Sequence, residues 1–259
     1  MATSLFTRKL IMEDIERNHV RDYSNTQLII KNFDKNFLFH ISANCGLFLY
    51  TGTNLYISYI ADYKLFTWHP VSMAFMIFFS TQGTVLLQRA VKKHEKARNT
   101  LFHKILQLFS LSCLITGFII IYNNKKIKGK THYKTYHAKI GLMTFILYII
   151  QTIGGLILIY FPSLFGGISK SKKYYKHHRL MGYIILFLIW LSAITSTQSK
   201  WIMKYFNQYW IWVVSIGMIF VGVIARINLN KIKIGSIKWN FAFLHSLIQY
   251  RVFQSDADR

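Results

Sequence analysis

The chain is poor in the residues that break helices, cross-link folds or balance positive charge. Pro70 and Pro162 are the only prolines in 259 residues, so long helices can run uninterrupted. Cys45 and Cys113 are the only cysteines; both fall in apolar stretches, and they form neither a disulfide framework nor a CxxC metal motif. Nine acidic residues stand against 32 Lys and Arg. Gly/Ser-rich linkers and low-complexity tracts are missing, which leaves one domain with two tails. No Gly-rich phosphate loop or dinucleotide fingerprint occurs, and the first 27 residues have no apolar core of the kind a cleavable signal needs.

What the chain does have is apolar length. A hydrocarbon core of about 30 Å requires roughly 20 residues of helix, and six stretches meet that: about 37–60, 66–88, 101–122, 138–161, 180–198 and 208–226. With 53% apolar and 16% charged residues, and with backbone groups in lipid obliged to bond internally, the expectation is an all-α integral membrane protein of six transmembrane helices. The expected division is a cytosolic tail over 1–36, a six-helix membrane domain over 37–226, and a cytosolic tail over 227–259, whose segment Lys231–Val252 mixes basic and apolar residues as an interfacial helix does. The net charge of +23 is distributed between apolar stretches rather than along one soluble face, which argues against a nucleic-acid partner. With both termini in the cytosol, 23 of the 32 basic residues fall on the cytosolic side, as the positive-inside rule favours.

Four consecutive stretches each carry a histidine near their start: His69, His103, His137 and His178. An ionisable residue inside a span is costly and by default functional. Because successive helices alternate in direction, His69 and His137 come to the extracytoplasmic end and His103 and His178 to the cytosolic end. Two imidazoles at one level of a bundle suit axial ligation of a haem iron. Glycines recur on the histidine faces: Gly141 and Gly182 lie four residues after His137 and His178, while Gly83 and Gly117 lie fourteen after His69 and His103, about 21 Å farther along. Missing side chains there would admit a porphyrin, and serve plain helix packing equally well. His177 points about 100° away from His178; His132, His40, His94, His19 and His245 read as surface or supporting residues. Three other readings stay open: a non-catalytic haem-bearing subunit, a histidine-based metal transporter and a haem-free packing protein. Transporters more often interrupt their helices at the midplane, and these helices look unbroken.

The segments FTWHPVSMAFM, ARNTLFHKILQLFSLSCLITG, THYKTYHAKIGL and KHHRLMGY resemble the four histidine-bearing helices of the cytochrome b561 family. The likeness covers roughly residues 37–226 and is greatest to its compact members, the transmembrane ascorbate-dependent reductases. It implies helices 2–5 bundled around two b-type haems, His69 paired with His137 and His103 with His178. It implies single electrons passing from cytosolic ascorbate to monodehydroascorbate or a ferric chelate, in an endomembrane (ER, vesicle, lysosome) or the plasma membrane, and it leaves room for a homodimer. An ascorbate anion would dock on Lys92, Lys93, Lys96, Arg98, Lys172, Lys173 and Lys176, although basic loops also serve anionic lipid. The far-side acceptor would meet Asn124, Lys125, Lys126, His132 and Tyr136. Family members often carry a histidine near the position of Asn123, which this chain does not.

Overall fold

The computed structural model describes residues 2–89, 92–228 and residue 232, so the segment read as an interfacial helix lies almost wholly outside the described residues. Every regular element described is helical: α1 (Ala2–Ile60), α2 (Trp68–Arg89), α3 (Lys93–Ile127), α4 (Tyr136–Tyr160), α5 (Ile168–Thr197), α6 (Lys200–Tyr205) and α7 (Tyr209–Ile224), with 3₁₀ turns at Leu65–Thr67 and Pro162–Phe165. Four helices are long and apolar enough to cross a membrane: Leu65–Gln88, Lys93–Ile127, Tyr136–Tyr160 and Ile168–Thr197. Only 17% of the apolar window of α3, and the same share of α4, is buried inside the protein. An apolar surface on that scale needs lipid.

The other two expected spans fall short of that standard for identifiable reasons. The C-terminal half of α1 is diluted by Ser42, Asn44, Thr51, Thr53 and Asn54. Three of these return their polar groups to the helix itself: Asn44 Nδ2 donates to the His40 carbonyl (2.7 Å), Thr53 Oγ1 to Leu49 (2.7 Å) and Asn54 Nδ2 to Tyr50 (2.8 Å). α7 is apolar throughout but has 16 residues, fewer than the roughly 20 that span a bilayer.

Local chemistry sets the helix limits. Thr135 caps α4 by accepting from Ala138 N, and Ser199 caps α6 by accepting from Ile202 N. Gly166 (φ +77°) and Gly167 (φ +101°) take the left-handed turn between α4 and α5, a conformation cheap only for glycine. α3 and α5 start well before the apolar stretches expected at 101 and 180. Lys, Arg and Glu are good helix formers, so the basic turns extend each helix beyond the apolar region. As a result Lys93, Lys96, Arg98, Lys172, Lys173 and Lys176 lie on helices rather than in loops, and Asn124, Lys125 and Lys126 close α3. His69 and His137 are second residues of their helices, whereas His103 and His178 lie about three turns in.

The helices pack as antiparallel pairs, α2 on α3, α4 on α5 and α1 on α7, with α1 also lying along α2. Contact between α3 and α4 and between α2 and α5 is sparse by comparison, so the two histidine-bearing hairpins meet along an open seam. The α1–α7 pair is the tightest approach. A Cβ on Gly46 would stand 2.5 Å from the Ser215 carbonyl oxygen, and one on Gly222 would stand 2.5 Å from Ala43 N and Phe39 O. Both obstacles are backbone, which cannot rotate away. Leu47 beside Gly46 on α1, and Ile219 and Val223 on α7, are nearly fully buried.

Gly46→Ala should therefore force α1 from α7 and cost about 1–3 kcal/mol, the usual range for overpacking, read as a lower unfolding temperature in detergent. Gly217→Ala, with nothing within 4 Å of its Cβ, should leave that temperature unchanged or slightly raised. Equal effects of the two substitutions would contradict this packing.

Candidate functional site

Three of the four histidines are held by hydrogen bonds across a helix pair. His69 Nδ1 on α2 is 2.9 Å from the Gly117 carbonyl oxygen of α3, and His103 Nδ1 on α3 is 3.0 Å from the Gly83 carbonyl oxygen of α2. On the other hairpin, His137 Nδ1 of α4 is 2.9 Å from the Ser192 carbonyl oxygen of α5, with Ser192 Oγ at 3.4 Å. A carbonyl can only accept, so Nδ1 donates in all three cases. That assignment puts the proton on Nδ1 and leaves Nε2 with a free lone pair, the state of a ligating imidazole.

His69 and His137 face one another across the seam with ring centroids 6.4 Å apart and planes at 80°. One ion between two Nε2 atoms, with bonds of about 2.0–2.1 Å and roughly 1.2 Å from each Nε2 to its ring centre, calls for a separation of about 6.4 Å. The rings thus stand at the spacing that one shared ion requires. Phe66 lies beside His69 (5.9 Å) and against Trp201 (5.3 Å). Its turn is held by the Tyr205 hydroxyl donating to Asp62 Oδ2 (3.0 Å), by Lys64 Nζ at 3.2 Å from the same oxygen, and by Thr67 Oγ1 donating to the Asp62 carbonyl (2.9 Å). The Tyr205 hydrogen bond first, then Lys64, hold the exposed Asp62 carboxyl below the usual carboxylate range.

The second pair lines a cavity of about 450 Å³ between the hairpins. His103 and His178 share its wall with Gln107, Tyr148, Gln151, Gly155 and Gly182, and Lys96, Lys104, Arg179 and Arg226 contribute positive charge. The volume is that of a small-molecule or cofactor site, lined mainly by apolar groups with a few polar ones. The Tyr148 hydroxyl donates to Gln107 Oε1, and Gln107 Nε2 donates to the Ser80 carbonyl (3.2 Å).

One interval runs through both sites. The residue fourteen positions beyond each histidine lies next to the other histidine of its hairpin: Gly83 by His103, Gly117 by His69, Gln151 by His178 and Ser192 by His137. Fourteen residues are close to four helical turns, so both positions share a face about 21 Å apart. The sequence reading found this interval at the two glycines only; extending it to α4 and α5 would have found Gln151 and Ser192.

The glycines have more particular roles than making room. A Cβ on Gly83 would be 3.5 Å from His103 Nδ1 and 3.1 Å from Gln107 Nε2, and one on Gly117 would be 3.7 Å from His69 Nδ1 and 3.2 Å from Ser72 Cβ. These two admit the imidazoles to the backbone and let α2 and α3 pack closely. Beside Gly141 sits the Ser192 hydroxyl (3.5 Å), and beside Gly182 the Gln151 amide (3.2 Å). Gly155, which the sequence reading missed, lies directly under the His178 ring, 2.8 Å from Cε1 to a Cβ placed there. No short-range pattern marks it.

Of the seven basic residues expected around the cytosolic pair, Lys96 lines the cavity, whereas Lys92, Lys93, Arg98, Lys172, Lys173 and Lys176 do not. Lys104, Arg179 and Arg226 do so instead. At the opposite end Asn124 is buried, Lys125 Nζ donates to the Thr131 carbonyl (3.4 Å), His132 stacks on Tyr122 (4.7 Å), and Lys126 and Tyr136 are exposed. His177 is exposed, so His178 is the member of that doublet facing inward.

Among the described residues no three His, Cys, Asp or Glu side chains converge as a metal site. Each pair offers two imidazoles and no further side-chain ligand of these types. That donor set does not suit a bare zinc ion, which takes three or four protein ligands. It fits an ion that brings its other ligands with it, as haem iron does.

Residues 68–204, over half of the chain and including all four histidines, match the family described as eukaryotic cytochrome b561. The transmembrane reductase CYB561D2 of Mus musculus is 31% identical over 157 residues, 53% of this chain and 68% of that protein. The transmembrane ascorbate-dependent reductase CYB561 of Homo sapiens is 24% identical over 144 residues, 56% of this chain and 57% of that protein. The ascorbate-specific transmembrane electron transporter 2 of Zea mays is 24% identical over 148 residues, 54% and 62% respectively. With paired histidines on the seam of a helical membrane bundle and this match across the bundle, the chain belongs to the eukaryotic cytochrome b561 family, a multi-pass membrane protein for which b-type haem is the implied cofactor.

Proposed function

We propose that the chain is a di-haem transmembrane oxidoreductase passing single electrons from cytosolic ascorbate to monodehydroascorbate or a ferric chelate on the far side. The observation that carries the reading is the arrangement of two histidine pairs on one seam, displaced along α2 and α3 by about 21 Å. Relatives named as an ascorbate-dependent reductase and an ascorbate-specific electron transporter support the choice of donor. The six spans would be the C-terminal part of α1, then α2, α3, α4, α5 and α7, within a membrane domain of about 37–226 between two cytosolic tails. The membrane would be an endomembrane or the plasma membrane.

His69 and His137 would hold one haem on the extracytoplasmic side, and His103 and His178 the other on the cytosolic side. Each haem supplies, when bound, an iron that takes up and releases one electron. The chain's own groups do the rest. The Gly117, Gly83 and Ser192 carbonyls fix three imidazoles as Nε2 ligands and prevent ring rotation. Apolar residues exclude water from the seam, and Lys96, Lys104 and Arg179 at the cytosolic cavity attract and orient an anionic donor. On the opposite face Lys125 and Lys126, with His132 on Tyr122 and the exposed Tyr136 beside them, form a basic, aromatic surface for an anionic acceptor.

The purified protein should contain two low-spin b haems per chain, with a substantial fraction reduced by ascorbate and the remainder by dithionite. His103→Ala or His178→Ala should leave one haem and abolish reduction by ascorbate while dithionite still reduces what remains; two haems and full activity in both variants would refute the ligand assignment. Lys96→Gln should raise KM for ascorbate about tenfold, the loss of a charge-assisted hydrogen bond of about 1.5 kcal/mol. Lys172→Gln, away from the cavity, should leave KM unchanged. If both lysines prove equivalent in steady-state assays, the donor does not enter this cavity.

A further inference from the structure

The four histidines are not equivalent, and the difference traces to one residue. Fourteen positions beyond a histidine, three helices present a residue without a long side chain, Gly83, Gly117 or Ser192, and its carbonyl accepts from the opposing Nδ1 at 2.9–3.0 Å. At the fourth such position stands Gln151. Its amide occupies the space over Gly182 and donates to the backbone carbonyl of His178 at 2.6 Å. Among the described residues the His178 ring makes no hydrogen bond comparable to the other three; its position is set by packing on Gly155.

A hydrogen bond from Nδ1–H to a carbonyl raises the basicity of an imidazole and fixes its orientation. A stronger donor stabilises the ferric over the ferrous ion, and axial ligation of this kind is one of the protein's means of setting a haem potential. We propose that Gln151 is a positioning residue that denies His178 the carbonyl anchor given to the other three histidines, and so sets the haem at His103 and His178 at a higher reduction potential than the haem at His69 and His137. The inference rests on the di-haem reading above. The centre nearer the cytosolic cavity is then the easier to reduce by a weak one-electron donor, and the far centre, once reduced, is the stronger reductant. The charges of Lys96, Lys104 and Arg179 act in the same direction at the first centre. Substitution at Gln151 itself separates the ligand effect from these charges.

The test is an optical redox titration of the full-length protein in detergent, with haem content measured by pyridine haemochromogen. In the unaltered protein two components are expected, and the higher one should be the component that disappears in His178→Ala and survives in His69→Ala. Gln151→Ser, which recreates the arrangement at Ser192, should lower that component and leave the other in place. Gln151→Ala carries the same expectation should the serine variant fold poorly. Loss of the higher component in His69→Ala would overturn the inference. So would a Gln151 variant that binds two haems with both potentials unchanged, or with both shifted equally. Fewer than two haems in the unaltered protein would instead defeat the di-haem reading on which the inference depends.

Discussion

An imidazole buried between membrane helices is stabilised when its ring proton meets an acceptor, and three of the four histidines of the site are held in that way. Lipid offers no acceptor, and helix carbonyls are already committed to their own backbone. A second bond to a carbonyl becomes possible only where no bulky side chain blocks the approach. Gly83, Gly117 and Ser192 create such openings, and His103, His69 and His137 use them. Each bond fixes a tautomer, aims Nε2 at the seam and ties two antiparallel helices together. Helix pairing and cofactor geometry are therefore parts of one interaction.

The seam itself comes from an uneven distribution of packing. α2 and α3 grip closely because Gly83 and Gly117 let side chains of the partner helix lie against the backbone. α4 and α5 form a second hairpin, and the two hairpins touch sparsely. A bundle packed uniformly would have no room for a macrocycle, and a looser one would not hold imidazole rings 6.4 Å apart. α1 and α7, locked through Gly46 and Gly222, lie outside the matched family segment 68–204. α7 nevertheless reaches the site, since the Gln88 amide donates both to the Tyr183 hydroxyl and to the Val223 carbonyl (each 3.1 Å), and Arg226 just beyond α7 lines the cavity.

Charge is arranged by a different logic from packing. Basic residues at the N-terminal ends of α3 and α5 continue those helices out of the apolar region, so most of them lie away from the cavity while Lys96, Lys104 and Arg179 border it. At the opposite end Asp62 collects Tyr205, Lys64 and Lys204 around a carboxylate. Its exposed ion pairs are individually weak. Their effect is to hold the turn that carries Phe66 beside His69.

Four of the six expected apolar spans, the histidine each of them carries and the alternation of those histidines along antiparallel helices were legible in the sequence, because span length and helix direction follow from local composition and chain order. The fourteen-residue interval was legible too, since it depends only on helical pitch, although it was read at two of its four occurrences. Hidden from the sequence were the limits of α3 and α5, where charged residues extend helices past the apolar boundary, and the choice of Lys104, Arg179 and Arg226 over neighbouring lysines at the cavity. Gly155 under His178, and Gln151 in place of a carbonyl anchor, depend on which helix lies opposite and at what rotation. The sequence by itself determined a helical membrane protein with paired histidines at two levels, a property of residue order and hydropathy. Only the tertiary structure decided which atoms meet across the hairpins, because an Nδ1–carbonyl distance depends on the packing of two helices and on no pattern within either.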